Sequence, residues 1–148
     1  MRRTARILAV TAIVVVVAAV LVLTAGPSSG EGLTGVTWQW TATTASGDGA
    51  PSMVPDPSRY TVEFAPDGTY RAGADCTEAA GTYRVIPAGR MGPQTGLVIT
   101  PGSGTLTACG AGSLSATFMT DLDRAAGYQI VDGLLTISLA DGSRMRFR

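Results

Sequence analysis

Three arginines followed by nineteen residues with almost no polar side chain divide this chain before anything else is decided. Arg2, Arg3 and Arg6 precede residues 7–25, ILAVTAIVVVVAAVLVLTA, in which Thr11 and Thr24 are the only polar side chains. A helix of that length covers about 28 Å, close to the hydrocarbon thickness of a bilayer. No basic residue follows until Arg59. The positive-inside rule therefore keeps the N-terminus in the cytoplasm and places the rest outside it. Two readings stay open. As an uncleaved signal anchor, residues 7–25 make one pass through the cell membrane, with the C-terminal domain extracytoplasmic. As a signal peptide cut after Ala25, they leave a secreted domain. The second reading needs Leu23 at the −3 position, where a small residue is preferred, and an apolar region longer than usual. With no cysteine near the end of the run, lipoprotein processing is excluded.

The remainder is one domain. Residues 1–26 form the membrane or signal segment and residues 27–32 a short Gly, Ser and Pro linker. Residues 33–148 are long enough for a single core. The zero formal charge of the 148 residues is a sum over two compartments: beyond the three N-terminal arginines, 8 arginines face 11 acids. The chain has no His, no Lys and no Asn. That excludes His-based triads, HExxH zinc sites, Schiff-base lysines and the Walker A lysine. A mildly acidic domain without lysine is also a poor nucleic-acid binder.

Most signals past the linker are of strand type. Val36, Trp38 and Trp40 alternate with polar residues, as do Tyr60, Val62 and Phe64. Residues 43–58 read as a long loop. Ala65-Pro66-Asp67-Gly68 is a hairpin turn returning through residues 69–72. Residues 81–86 and 97–100 are further strands, the second broken by Pro101-Gly102-Ser103-Gly104. One helix is expected, with Leu114, Phe118 and Leu122 on one face and Ala125 and Ala126 completing it. Ser113 is its expected N-cap and Gly127 its C′ residue. Asp132-Gly133 and Asp141-Gly142 then turn three strands into a C-terminal meander. About seven or eight strands with one helix make a mainly β (α+β) fold: an antiparallel sheet curled on itself, or a small barrel, with the helix over one opening or face. A single helix is too few for a parallel α/β sheet.

Cys76 and Cys109 are the only cysteines. In an exported domain the pair suggests a disulfide. Two buried thiols are the alternative. Two thiols without any histidine do not complete a zinc shell.

The chain resembles the META domain family, also called HslJ-like. The matching stretches are Leu33-Thr34-Gly35-Val36-Thr37-Trp38-Gln39-Trp40 and Val62-Glu63-Phe64-Ala65-Pro66-Asp67-Gly68-Thr69-Tyr70. They continue with Gly73-Ala74-Asp75-Cys76-Thr77, Gly81-Thr82-Tyr83, Thr105-Leu106-Thr107-Ala108-Cys109, and Tyr128 through Ile137. The family often has Cys-Asn where this chain has Cys76-Thr77. The resemblance implies a small β-rich, barrel-like domain with a helix, linked to envelope and stress-related roles. It brings no catalytic residues, and no cofactor or metal is expected.

Several residues invite a functional reading. Asp121, Asp123 and Arg124 lie off the helix stripe and fit a solvated face better than a metal or phosphate site. Asp75 and Glu78 flank Cys76 and suit turn-shaping or an arginine partner better than a cation. Arg144, Arg146 and Arg148 share one strand face, a basic stripe that Arg71 or Arg84 would extend toward an anionic partner. Trp38, Trp40, Phe64 and Phe118 are core candidates that would also line a ligand cavity inside a barrel. The expected function is thus non-catalytic. The domain would have a binding or interaction role at the cell envelope, with an envelope protein as partner and a stress-related setting, while residues 7–25 hold the membrane. The alternative is a carrier of a small apolar ligand. A hydrolase using Asp and Glu is a third reading, for which no paired-carboxylate geometry can be argued.

Overall fold

The computed structural model describes residues 32–47, 49–90, 94–105 and 107–148. The apolar run at 7–25 lies outside them. Among the described residues no helix is long and apolar enough to cross a membrane.

Nine strands and one helix follow in order: β1 (Thr37–Thr44), β2 (Ser52–Met53), β3 (Tyr60–Phe64), β4 (Thr69–Ala74), β5 (Thr77–Ile86), β6 (Thr95–Thr105), α1 (Ser115–Asp123), β7 (Ala125–Val131), β8 (Leu134–Leu139) and β9 (Arg144–Phe147). Every ladder between them is antiparallel. The chain closes on itself because β1 takes β9 on one edge, pairing Trp40 with Phe147 and Thr44 with Arg144. Its other edge is shared between β3 and the short β2. The closed ring thus has eight strands, β1 and β3–β9. An even number is what an all-antiparallel closure requires, and closure removes the exposed edges that an open sheet would carry.

Alternation decides what faces inward. In β1, Trp38, Trp40, Ala42 and Thr44 are buried while the residues between them are not. In β9, Met145 and Phe147 are buried and Arg144 and Arg146 exposed. The turns follow local chemistry. Asp132 and Gly133 both adopt positive φ, 52° and 75°, the pattern of the tight turn whose twist matches a hairpin. In two other hairpins an aspartate side chain braces the turn. Asp67 accepts from Thr69 N at 2.9 Å and Asp141 from Ser143 N at 2.9 Å.

Both mouths of the barrel are covered. At one, residues 32–36 cross as a strap. Leu33 is fully buried and its carbonyl accepts from Trp38 Nε1 at 2.9 Å. Thr34 bridges to Phe64, and Gly35 N donates to Phe64 O. At the other mouth lies α1. Leu114 N donates to the Tyr60 hydroxyl at 2.9 Å, and Phe118 and Leu122 point into the core at 0 and 1% exposure. Beyond the helix, Arg124 O accepts from Ala140 N in the β8–β9 turn.

Five expectations need correction. The Pro101–Gly104 stretch does not end its strand: β6 runs on, with Gly81 opposite Pro101 and Ala79 opposite Gly104 across a register shift. Glycine makes this possible. A Cβ on Gly102 would lie 2.8 Å from Ala80 O, and one on Gly104 2.8 Å from Glu78 O. Conversely, β5 starts at Thr77, four residues ahead of the segment expected as a strand. The helix stops at Asp123, so Ala125 and Ala126 belong to β7 and Gly127 is a buried strand residue, not a helix terminator. Tertiary pairing wins there, since Gly127 sits opposite Gly96 of β6. Ser113 does accept from Ser115 N, but Leu114 occupies the N-cap position. Finally, the loop at 43–58 contains β2 and a 3-10 turn at Pro57–Arg59, whose first N–H groups are served by Asp56.

Candidate functional site

Three parts of the surface and core carry chemistry. The first is the end of the barrel where β4 turns into β5. Asp75 takes the turn, at φ 62°, a backbone region that aspartate tolerates better than most residues. The next residue, Cys76, is disulfide-bonded to Cys109, with Cα atoms 5.6 Å apart. The bridge ties the β4–β5 turn to the segment leading into α1. Asp75 pairs with Arg59. Its carboxyl is held below the usual carboxylate range by the Ser113 hydroxyl and, more weakly, by the Arg59 guanidinium. Thr77, where the family often has asparagine, is buried with its hydroxyl 3.6 Å from Cys109 Sγ. No asparagine is needed, because Asp75 makes the left-handed residue of the turn. Glu78 is not part of this cluster; it projects from the outer face of β5.

The second part is aromatic. Trp38, Trp40, Phe64 and Phe118 are at most 3% exposed. Trp40 packs against Phe118 with the rings tilted by 36° and their centroids 5.3 Å apart, and it meets Tyr60 edge-on at 5.7 Å. Phe64 meets Tyr83 edge-on at 4.9 Å. The Trp40 indole N–H is satisfied by Ala42 O and Thr43 Oγ1, both at 3.1 Å. These four side chains belong to one buried core cluster, and the ring pairs within it fall at spacings typical of aromatic contacts. They do not line the groove described next.

The third part is the outer face of the sheet. The arginine stripe stands as the alternation implies: Arg144, Arg146 and Arg148 are all exposed. Arg148 exchanges backbone hydrogen bonds with Gln39. Arg71 and Arg84 do not extend the stripe, because β1 and β3 lie between β9 and β4. Arg71 stands instead opposite Glu63, in an open groove of about 570 Å³ across β1, β3, β4, β5 and β6. Small residues, Gly73, Ala79, Ala80 and Gly104, line it together with Glu63, Arg71, Glu78 and the hydroxyls of Thr37, Thr61, Ser103 and Thr105. The register places Arg71 directly across from Glu63 and diagonal to Glu78. Sequence alternation puts each of these residues on the solvent side. What it does not reveal is the concavity, which depends on β5 meeting the far half of β6.

This groove can hold a polar ligand by hydrogen bonds and by either sign of charge. Among the described residues no three His, Cys, Asp or Glu side chains gather as a metal site. Asp121, Asp123 and Arg124 stay on the rim: Arg124 pairs with Asp141 at 2.5 Å and reaches Asp121 at 3.8 Å. Burial pushes the carboxyls of Asp121 and Asp123 up.

A closed antiparallel barrel with one helix matches the domain that the sequence resembles, and the profile of the META domain fits residues 31–148. The chain belongs to the META domain family. Two solved structures share the fold. A DUF4847 family protein from Bacteroides vulgatus is 17% identical with a TM-score of 0.57, covering 81% of this chain and 96% of its own. A protein from Burkholderia xenovorans is 22% identical, also at 0.57, covering 82% and 86%. No curated protein matches the chain. At such identities the likeness of the META barrel to these structures is one of fold alone.

Proposed function

We propose that this META domain is a non-catalytic binding module on the extracytoplasmic side of the cell membrane, tethered by residues 7–25, which engages an envelope protein under stress. The observation that carries the reading is the groove: an open polar cleft of about 570 Å³ with Glu63, Arg71 and Glu78 along it. A cleft with both charges and a row of hydroxyls suits a polar segment of a protein partner, which supplies hydrogen bonds and complementary charge along its length. Supporting the compartment are the three arginines ahead of the apolar run and a disulfide, which persists in an oxidising environment. Supporting the absence of catalysis is the lack of any His or Lys. The apolar-ligand carrier is favoured less, because Trp38, Trp40, Phe64 and Phe118 are packed among neighbours in the core and none of them lines this groove.

The test uses the full chain in cells, with a photoreactive side chain at Thr61 in the groove or at Thr136 on the outer face of β8. A discrete adduct is expected from position 61 only, increasing under envelope stress and lost with Glu78→Arg. Equal adducts from both positions, or none from position 61, would overturn the reading.

A further inference from the structure

The strap that closes one mouth also marks where the chain enters the barrel. Gly32, the first described residue, lies against β7: a Cβ added to it would sit 3.4 Å from Ile130 Cδ1. One residue on, Val131 pairs with Leu134 across the tight Asp132-Gly133 turn. Both are strongly exposed, at 57 and 55%. Val36, at the far end of the strap, is exposed as well. Leu135 pairs with Phe147, which brings Arg148 level with Leu134 on the neighbouring strand. Three of the five large exposed hydrophobics among the described residues thus gather on the rim where the chain enters. Met53, paired with Ala42 toward the far end of β1, belongs to the opposite rim.

Only residues 26–31 separate the apolar run from Gly32. Fully extended, six residues reach about 20 Å. A tether so short cannot carry the barrel far from a membrane in which residues 7–25 are embedded, and the rim holding Gly32 is the one it draws down. Branched apolar side chains on a hairpin tip gain free energy by leaving water for the boundary between headgroups and acyl chains. The charges on the tip set the depth. Asp132 at the turn and Arg148 beside Leu134 cancel, so the patch has no net attraction for anionic headgroups and its charged ends must remain among them.

We infer that the tip formed by Val131 and Leu134, with Val36, rests in the headgroup region of the outer leaflet of the same membrane that holds residues 7–25. The inference depends on the uncleaved-anchor reading. It fixes the orientation of the domain: the strap mouth faces lipid, and the disulfide and α1 face away. The contact is apolar, so salt does not release it.

The full chain, reconstituted in vesicles of phosphatidylcholine and phosphatidylglycerol, tests this with a diazirine side chain at position 134 or at position 53. About tenfold more lipid adduct is expected at 134 than at 53, as headgroup depth against a remote rim requires, and high salt should leave the ratio unchanged. With the probe at position 36, Val131→Ser combined with Leu134→Ser should cut the lipid adduct severalfold; both side chains are exposed, so the barrel survives the change. A chain that resists carbonate extraction yet labels equally at 134 and 53 overturns the inference alone. A chain released by carbonate overturns the anchor and the inference together.

Discussion

The two mouths of the barrel are closed in different ways. One is covered by the strap at residues 32–36, held by a buried leucine, one indole hydrogen bond and backbone contacts to Phe64. The other is covered by α1 and locked by a disulfide, the Arg59–Asp75 pair and the Arg124–Asp141 pair. The strap end shows Val36, Val131 and Leu134 to the outside beside Asp132 and Arg148, whereas the helix end shows its two ion pairs and the exposed Met53. A covalent lock is most useful where a long excursion must be held down. The segment from β6 to α1 has few ladder bonds of its own, while the strap follows directly into β1. The helix end should therefore carry more of the stability, and the strap end should be the place where the barrel opens first.

The largest expected effect is at the helix end. Phe118→Ala removes a fully buried ring that touches Trp40, Tyr60 and Phe147, and should cost about 3–5 kcal/mol. Leu33→Ala, which empties the strap's own anchor, belongs to the class costing about 2–5 kcal/mol and should fall toward its lower end, because a surface strap can settle into the gap. Urea unfolding of the two variants checks the order. If Leu33→Ala costs as much as Phe118→Ala, the strap is as much a part of the core as the helix is.

The disulfide comes next. Closing a loop of 33 residues stabilises by about 3–4 kcal/mol in the chain-entropy account. Replacing Cys76 and Cys109 together by serine should lower the urea midpoint accordingly, and adding a reductant to the wild-type protein should reproduce that midpoint. A reductant without effect would mean that α1 holds its end unaided.

How much of this difference was legible in the sequence depends on the range of the interaction. Asp132-Gly133 and Asp141-Gly142 announce their turns locally, so the C-terminal meander and the inward face of β1, β3, β8 and β9 follow from alternation alone. Gly102, Gly104 and Gly127 mislead for the opposite reason. Each looks like a breaker in its own neighbourhood, and each is instead the place where a distant strand comes close. The groove fails to appear for the same cause: the solvent side of Glu63, Arg71 and Glu78 is readable along neighbouring strands, but the hollow they share with Ser103, Gly104 and Thr105 depends on the shifted β5–β6 register. The exposed tip at Val131 and Leu134 lies between these cases. Its hairpin is readable, but its position beside Gly32 is not.

A smaller effect is expected at the strap. Trp38→Phe keeps a buried aromatic ring but removes the indole N–H that satisfies Leu33 O. A buried carbonyl left without its partner costs about 1–3 kcal/mol. The loss should be local: amide exchange at residues 33–36 should accelerate while that of α1 is unchanged. Equal acceleration at both ends would show that the two mouths open as one unit.

The smallest effect is electrostatic, and its sign separates carboxylates within the helix end. Asp75 has a lowered carboxyl pKa in the folded state, from the Ser113 hydroxyl and the Arg59 guanidinium. Its contribution is present above the ordinary aspartate value of about 3.9 and is lost as pH falls through the lower, folded value. Asp121 and Asp123 have raised values, because burial disfavours their charged forms. They act in the opposite direction: stability rises as pH falls through their folded values toward the unfolded one. Asp75→Asn, which keeps a residue tolerant of positive φ, should flatten the acid limb of stability against pH. Asp123→Asn should remove part of the gain on mild acidification. If Asp75→Asn leaves the acid limb unchanged, the Arg59 pair is a surface contact of the ordinary weak kind, and the disulfide with α1 holds that end without it.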